Sequence, residues 1–181
     1  SYSSNANEYF GINVAGYGSD GYFDVVSPTG SPIFFVIDSI NFQISDPTIG
    51  SEVGIFDSTI CVGVGIWDGN IPLHIIAWRG DESQGVDGYT PGNPISFYLY
   101  SSDEGANNVY NVEASFQSGD EYFISGIGPT YIDSLDVVEL STDFGCTDEN
   151  ACNYASDAFI DDGSCWYSID GCTCDNGEGA E

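Results

Sequence analysis

Six residues with oxygen-bearing side chains, Asp148, Asn150, Asn153, Asp157, Asp161 and Asp162, crowd one short stretch of the sequence. Calcium takes about six to eight oxygens from carboxylates, amides and backbone carbonyls, so this stretch is the candidate calcium site. Its spacing is not that of an EF-hand, because the Asp-x-Asp-x-Asp-Gly loop with a distant Glu is absent. Asp and Asn also close Asx-turns on their own backbone, and that reading covers several of the same residues. Both stay open on sequence alone. Catalysis is expected to be absent. His74 is the single histidine and Arg79 the single basic residue, so no lysine exists to serve as a base. His74 lies in Leu73-His74-Ile75-Ile76, a strand context that favours a structural histidine over a general base. No serine sits in a Gly-x-Ser-x-Gly elbow. With 29 acids some carboxylate pair will always lie at glycosidase separation, which makes that signal uninformative.

The cysteines are unevenly placed. Cys61 stands apart, whereas Cys146, Cys152, Cys165, Cys172 and Cys174 gather near the end. Clustered cysteines point to disulfides and an oxidising compartment. Zinc is disfavoured, since the spacings give no paired Cys-x2-Cys knuckles and no histidine is nearby.

Charge excludes partners. A net charge of −28 over 181 residues repels phosphate backbones and anionic membranes alike. Copies of the chain repel one another too, over a range of about 8–10 Å at physiological ionic strength. Self-assembly must therefore run through apolar or backbone contacts, with salt or divalent ions as screening. Solubility in salty water accounts for the same charge without any assembly. A hydrophobic fraction of 41% suffices for a core, so the acidity does not imply disorder. No apolar run approaches the ~18 residues of a membrane span. The sequence opens without Met or a basic-plus-apolar leader, as expected of a chain whose targeting segment has been removed.

The elements that must position these residues are strands. Residues 22–26, 33–37, 40–45, 52–56, 60–67, 73–78, 95–100, 109–116, 122–125 and 131–137 are β-branched or aromatic runs. Between them lie turns such as Ser27-Pro28-Thr29-Gly30, Asp68-Gly69-Asn70 and Ser118-Gly119-Asp120. Alternation puts Ile95, Phe97 and Leu99 on one face. This pattern predicts an all-β fold, an antiparallel β-sandwich over 18–140, followed by a small disulfide-rich module over 141–167 and an acidic tail over 168–181. Residues 1–17 alternate around Phe10, Ile12 and Val14. They form the first strand of the sandwich or a strand donated to a neighbouring copy.

Two blocks carry a resemblance. Gly50-Ser51-Glu52-Val53-Gly54-Ile55-Phe56-Asp57, Ile60-Cys61-Val62-Gly63, Ile75-Ile76-Ala77-Trp78 and Asp87-Gly88-Tyr89 through Phe97 resemble a β-sandwich module. That module recurs in large surface proteins of bacteria that use the type IX secretion route. Gly145-Cys146-Thr147-Asp148 through Asn153-Tyr154, then Asp161-Asp162-Gly163-Ser164-Cys165, is similar to a repeat of aquatic bacterial surface proteins. The resemblance implies a buried Cys61 on a strand and a Cys146–Cys165 disulfide, with Cys152 joining Cys172 or Cys174. It also implies candidate O-glycosylation at Ser39, Ser58 and Ser134, each in an Asp-Ser-aliphatic or Asp-Ser-Thr tripeptide. No Asn-x-Ser/Thr sequon occurs. Such modules are usually parts of long adhesins. Here they span nearly the whole sequence, and the combination resembles pilus-like filaments of environmental water. The expectation is an extracellular homopolymer built by strand complementation; the rival is a monomeric carbohydrate-binding or adhesive module, for which Trp67, Trp78, Tyr89, Tyr98 and Tyr100 are candidate sugar-stacking rings.

Overall fold

The structure is a computed structural model, and it describes residues 21–42, 47–101, 108–117, 121–124, 128–141, 143–168 and 174. Phe10, Ile12, Val14 and Cys172 lie outside the described residues. The chain divides into two compact units, Ser1–Leu140 and Ser141–Glu181.

Among its described residues the first unit is built of strands and a short 3-10 turn at Glu82–Gln84. Its strands are β1 (Pro32–Ile37), β2 (Ile40–Phe42), β3 (Glu52–Asp57), β4 (Ile60–Ile66), β5 (Leu73–Trp78), β6 (Ser96–Ser101), β7 (Asn108–Phe116) and β8 (Pro129–Leu140). They form one sheet in the order β4-β3-β6-β7-β8-β1-β5, with β2 also paired to β8. The expected antiparallel sandwich is corrected in one respect, because the pairing is mixed. β1 and β2 run parallel to successive parts of β8, Phe34 opposite Pro129 and Ile40 opposite Leu135. Between them Asp38 N–H donates to the Ile132 carbonyl and Leu135 N–H to the Ser39 carbonyl, so the ladder runs on through the break. Alternation fixes which face is buried and says nothing about a partner nearly a hundred residues away. That is why the parallel pairing escaped the sequence.

Alternation places Ile33, Phe35 and Ile37 of β1, Val53 and Ile55 of β3, Leu73, Ile75 and Ala77 of β5, and Phe97 and Leu99 of β6 in one core. Phe35 meets Phe97 and Phe123 edge-on, and Tyr89 stacks on Phe123 at 4.7 Å. The ends of the sheet meet by packing. A Cβ at Gly63 of β4 would lie 2.5 Å from the Ile76 carbonyl of β5, and one at Gly65 would lie 2.6 Å from the Ile75 side chain. Only glycine lets the two strands approach this closely.

The second unit pairs β9 (Phe144–Gly145) in parallel with β10 (Ile160–Asp161). Disulfides join Cys146 to Cys165 and Cys152 to Cys174, with Cα separations of 4.7 and 4.9 Å. Cross-links supply what so small an apolar core, here Ala151 and Ile160, cannot.

Candidate functional site

The outer face of β3 and β6 carries a second, smaller apolar cluster, and the chain upstream of β1 is laid across it. Register sets Glu52 opposite Tyr100 and Gly54 opposite Tyr98, so these four side-chain positions share the face with Phe56. Glu52 is 6% exposed. Its Oε1 accepts the Tyr22 N–H at 2.8 Å and its Oε2 the Phe23 N–H at 3.0 Å. A buried carboxylate is tolerable only when hydrogen-bonded, and two adjacent backbone donors meet that need.

Gly54 makes room for the ring of Phe23. A Cβ there would lie 2.7 Å from the Phe56 ring and 2.9 Å from that of Phe23. Phe23 packs edge-on against Phe56 at 5.3 Å, Phe56 against Tyr98 at 5.1 Å, and Tyr22 stacks on Tyr100 at 3.9 Å. Burying a side chain such as Phe23 is worth about 1.5–3 kcal/mol. Farther along, Val25 bridges Cys61 and the Val26 N–H donates to the Cys61 carbonyl at 3.0 Å. Residues 21–26 thus form a strap held by its backbone at both ends and by one ring in the middle. Of the 22–26 strand expected from sequence, only the Val25 bridge is a strand contact. Glu52 is the residue of this candidate site that sequence reasoning missed; an acid at a buried, alternating position of a strand was the available signal.

Cys61 lies beneath this strap, 4% exposed, and burial pushes its thiol pKa up to about 12. A thiol kept protonated is a packing group, as a buried strand cysteine usually is.

A groove of about 1100 Å³ lies at the ends of β4 and β5, lined by residues of 28–31, by Arg79 and by the loop 80–91. Arg79 is exposed and, among the described residues, makes no ion pair. Asp81 shapes the loop by accepting from the Ser83 hydroxyl and N–H and from Gln84, bonds that hold its carboxyl below the usual range.

Asp148, Asp157, Asp161 and Asp162 of the second unit accept local hydrogen bonds. Asp148 Oδ1 accepts both the backbone and side-chain N–H of Asn150, and its Oδ2 accepts the Tyr167 hydroxyl at 2.7 Å. Those bonds, the Asn150 N–H first, hold the Asp148 carboxyl below its ordinary range. Asp161 and Asp162 accept the N–H groups of Gly163 and Ser164, and Asp157 accepts from Ser156. Asn153 donates to the Ser164 carbonyl and accepts the Trp166 N–H, tying both sides of the loop. Among the described residues no three His, Cys, Asp or Glu side chains stand together as a metal-holding group.

The remaining candidates are dispersed. Ser39, between β1 and β2, donates to the Asp133 carbonyl and Ser134, on β8, to Asp136, while Ser58 sits exposed in the β3–β4 turn with φ of 56°. His74 is exposed on β5. Of the rings proposed as one sugar platform only Tyr98 and Tyr100 share a face, in the outer cluster; Tyr89 is core, Trp67 meets Phe42, and Trp78 is half-buried on the β5 face opposite Ala77. No helix among the described residues is long and apolar enough to cross a membrane. No family model, curated protein or solved structure matches the chain.

Proposed function

We propose that this chain is a non-catalytic structural subunit of an extracellular bacterial filament or surface appendage, assembled with copies of itself by strand complementation. The observation that carries this reading is Glu52, a buried carboxylate whose partners are the backbone N–H groups of Tyr22 and Phe23. A sheet face that holds a polypeptide by its backbone suits strand addition, in which main-chain bonds give affinity and pockets for side chains give register. Such contacts also work between copies that each carry −28, where ion pairs are scarce. Two disulfides fit an oxidising exterior. Residues 1–17, with Phe10, Ile12 and Val14, are the donated strand in this reading. Calcium enters as an ion that screens the subunits, and glycans at Ser39, Ser58 and Ser134 as surface decoration.

Negative-stain microscopy of the purified chain, with and without a chelator, is the test. Fibres are expected, and they should be lost when residues 1–16 are deleted. A second reading, a carbohydrate-binding or adhesive module, is favoured by the groove beside Arg79; dispersed particles that bind polysaccharide would replace the first reading with it.

A further inference from the structure

We infer that the strap of residues 21–26 is exchangeable, and that the cradle formed by Glu52, Gly54, Phe56, Cys61, Tyr98 and Tyr100 takes the same strap from a second copy. This rests on the assembly reading above and adds to the donated strand of residues 1–17 a second contact, made by the strap that follows it on the same neighbouring copy.

The strap and its connection to β1 are built differently. Residues 21–26 are fastened by three backbone hydrogen bonds and a buried ring. The connection, Ser27-Pro28-Thr29-Gly30, makes no backbone hydrogen bond among the described residues. Thr29 Oγ1 is buried there without a partner, and Gly30 sits at a φ of 80°. A well-bonded segment on a poorly bonded, Pro- and Gly-containing hinge is the arrangement that allows an element to leave its own body and dock identically on another. The strap's bonds lost by undocking are regained on the second copy, so the hinge conformation, the repulsion between like-charged copies and the loss of freedom on association decide the balance.

The cradle needs no ion pair between copies: its one charged group, Glu52, is met by backbone N–H groups. The strap carries one acid, Asp24, and its fastenings are backbone bonds and aromatic contacts. Docking can therefore proceed between copies whose overall charges repel. One-way exchange is a heterologous contact, and repeated from copy to copy it gives an open polymer wherever the rotation between copies does not close a ring.

Cys61 supplies the test, because Val25 is bridged to it. The full-length variant Val25→Cys is assembled, oxidised, and analysed on non-reducing gels, with peptide mass spectrometry identifying the 25–61 linkage. Exchange predicts a ladder of covalent oligomers joined through that linkage. Assemblies whose 25–61 bond lies within single copies overturn the exchange and leave the assembly reading standing. A wild-type chain that never assembles overturns both. Should the variant not oxidise, lengthening the hinge with a short Gly-Ser insertion after Thr29 gives a second reading. It should favour self-docking and deplete the pelleting fraction, whereas an unchanged pelleting fraction overturns the exchange.

Discussion

The Glu52 carboxylate reaches 30 residues back in sequence to take the Tyr22 N–H at 2.8 Å. One acid thereby fixes the path by which the chain enters the sheet. Replacing it by Gln leaves an amide N–H facing a backbone N–H, so Glu52→Gln should cost about 1–3 kcal/mol. Thermal melts should show the loss as a fall of several degrees, since about 1 kcal/mol moves Tm by roughly 2–4 °C in a domain of this size. An unchanged Tm would mean that water satisfies those donors equally well.

Two glycines should respond differently to a methyl group. Gly63→Ala pushes against the Ile76 carbonyl, and backbone cannot yield, whereas Gly54→Ala pushes against the rings of Phe56 and Phe23. Overpacking costs about 1–3 kcal/mol, with Gly63→Ala the larger loss. Placing Gly54→Ala in a Phe23→Ala background should recover part of its cost, as one of the two offending rings is gone. Denaturant midpoints for the four variants decide this, and an additive pair would sink the slot.

Reduction should act on the second unit. Loops closed by sequence separations of 19 and 22 are each stabilised by about 3 kcal/mol in the chain-entropy account. With reductant, amide exchange across 144–166 should accelerate while β1, β3 and β6 keep their protection. Equal acceleration in both units would contradict it.

Asp148 and Tyr167 form a pH-dependent tie. Hydrogen bonds from Asn150 and Tyr167 depress the Asp148 pKa, so the tie contributes fully above the ordinary carboxyl range and is lost as pH falls through the depressed value. The Tyr167 hydroxyl, bonded to that carboxylate, is shifted upward. Its contribution is therefore present below the ordinary phenol range and lost as pH rises through the raised value. Carboxyl NMR titration should place the Asp148 midpoint low, and Tyr167→Phe should move it toward normal. No movement would show that Asn150 alone holds it.

Cys61 should resist alkylation at neutral pH in the folded chain, because burial pushes its pKa up to about 12, and react readily once denatured. Site-resolved mass spectrometry reads both states, and rapid labelling of native Cys61 would mean that the strap opens often.

Much of the architecture was legible in the sequence because it rests on local rules. Alternation at Ile33, Phe35 and Ile37, and at Phe97 and Leu99, fixed the buried faces, and turn residues fixed most strand limits. The acid-rich stretch from Asp148 to Asp162 was legible as a choice between ion ligands and Asx-turns, and Asp148, Asp157, Asp161 and Asp162 are each seen closing a local bond. Composition and charge alone set the terms on which copies can meet. Tertiary structure decided what depends on contacts distant in sequence: the parallel run of β1 and β2 along β8, the glycine-mediated approach of β4 to β5, and the capture of Tyr22 and Phe23 by Glu52. A side chain's type tells whether it seeks a partner; which partner it finds depends on how the whole sheet curls, and no local window contains that.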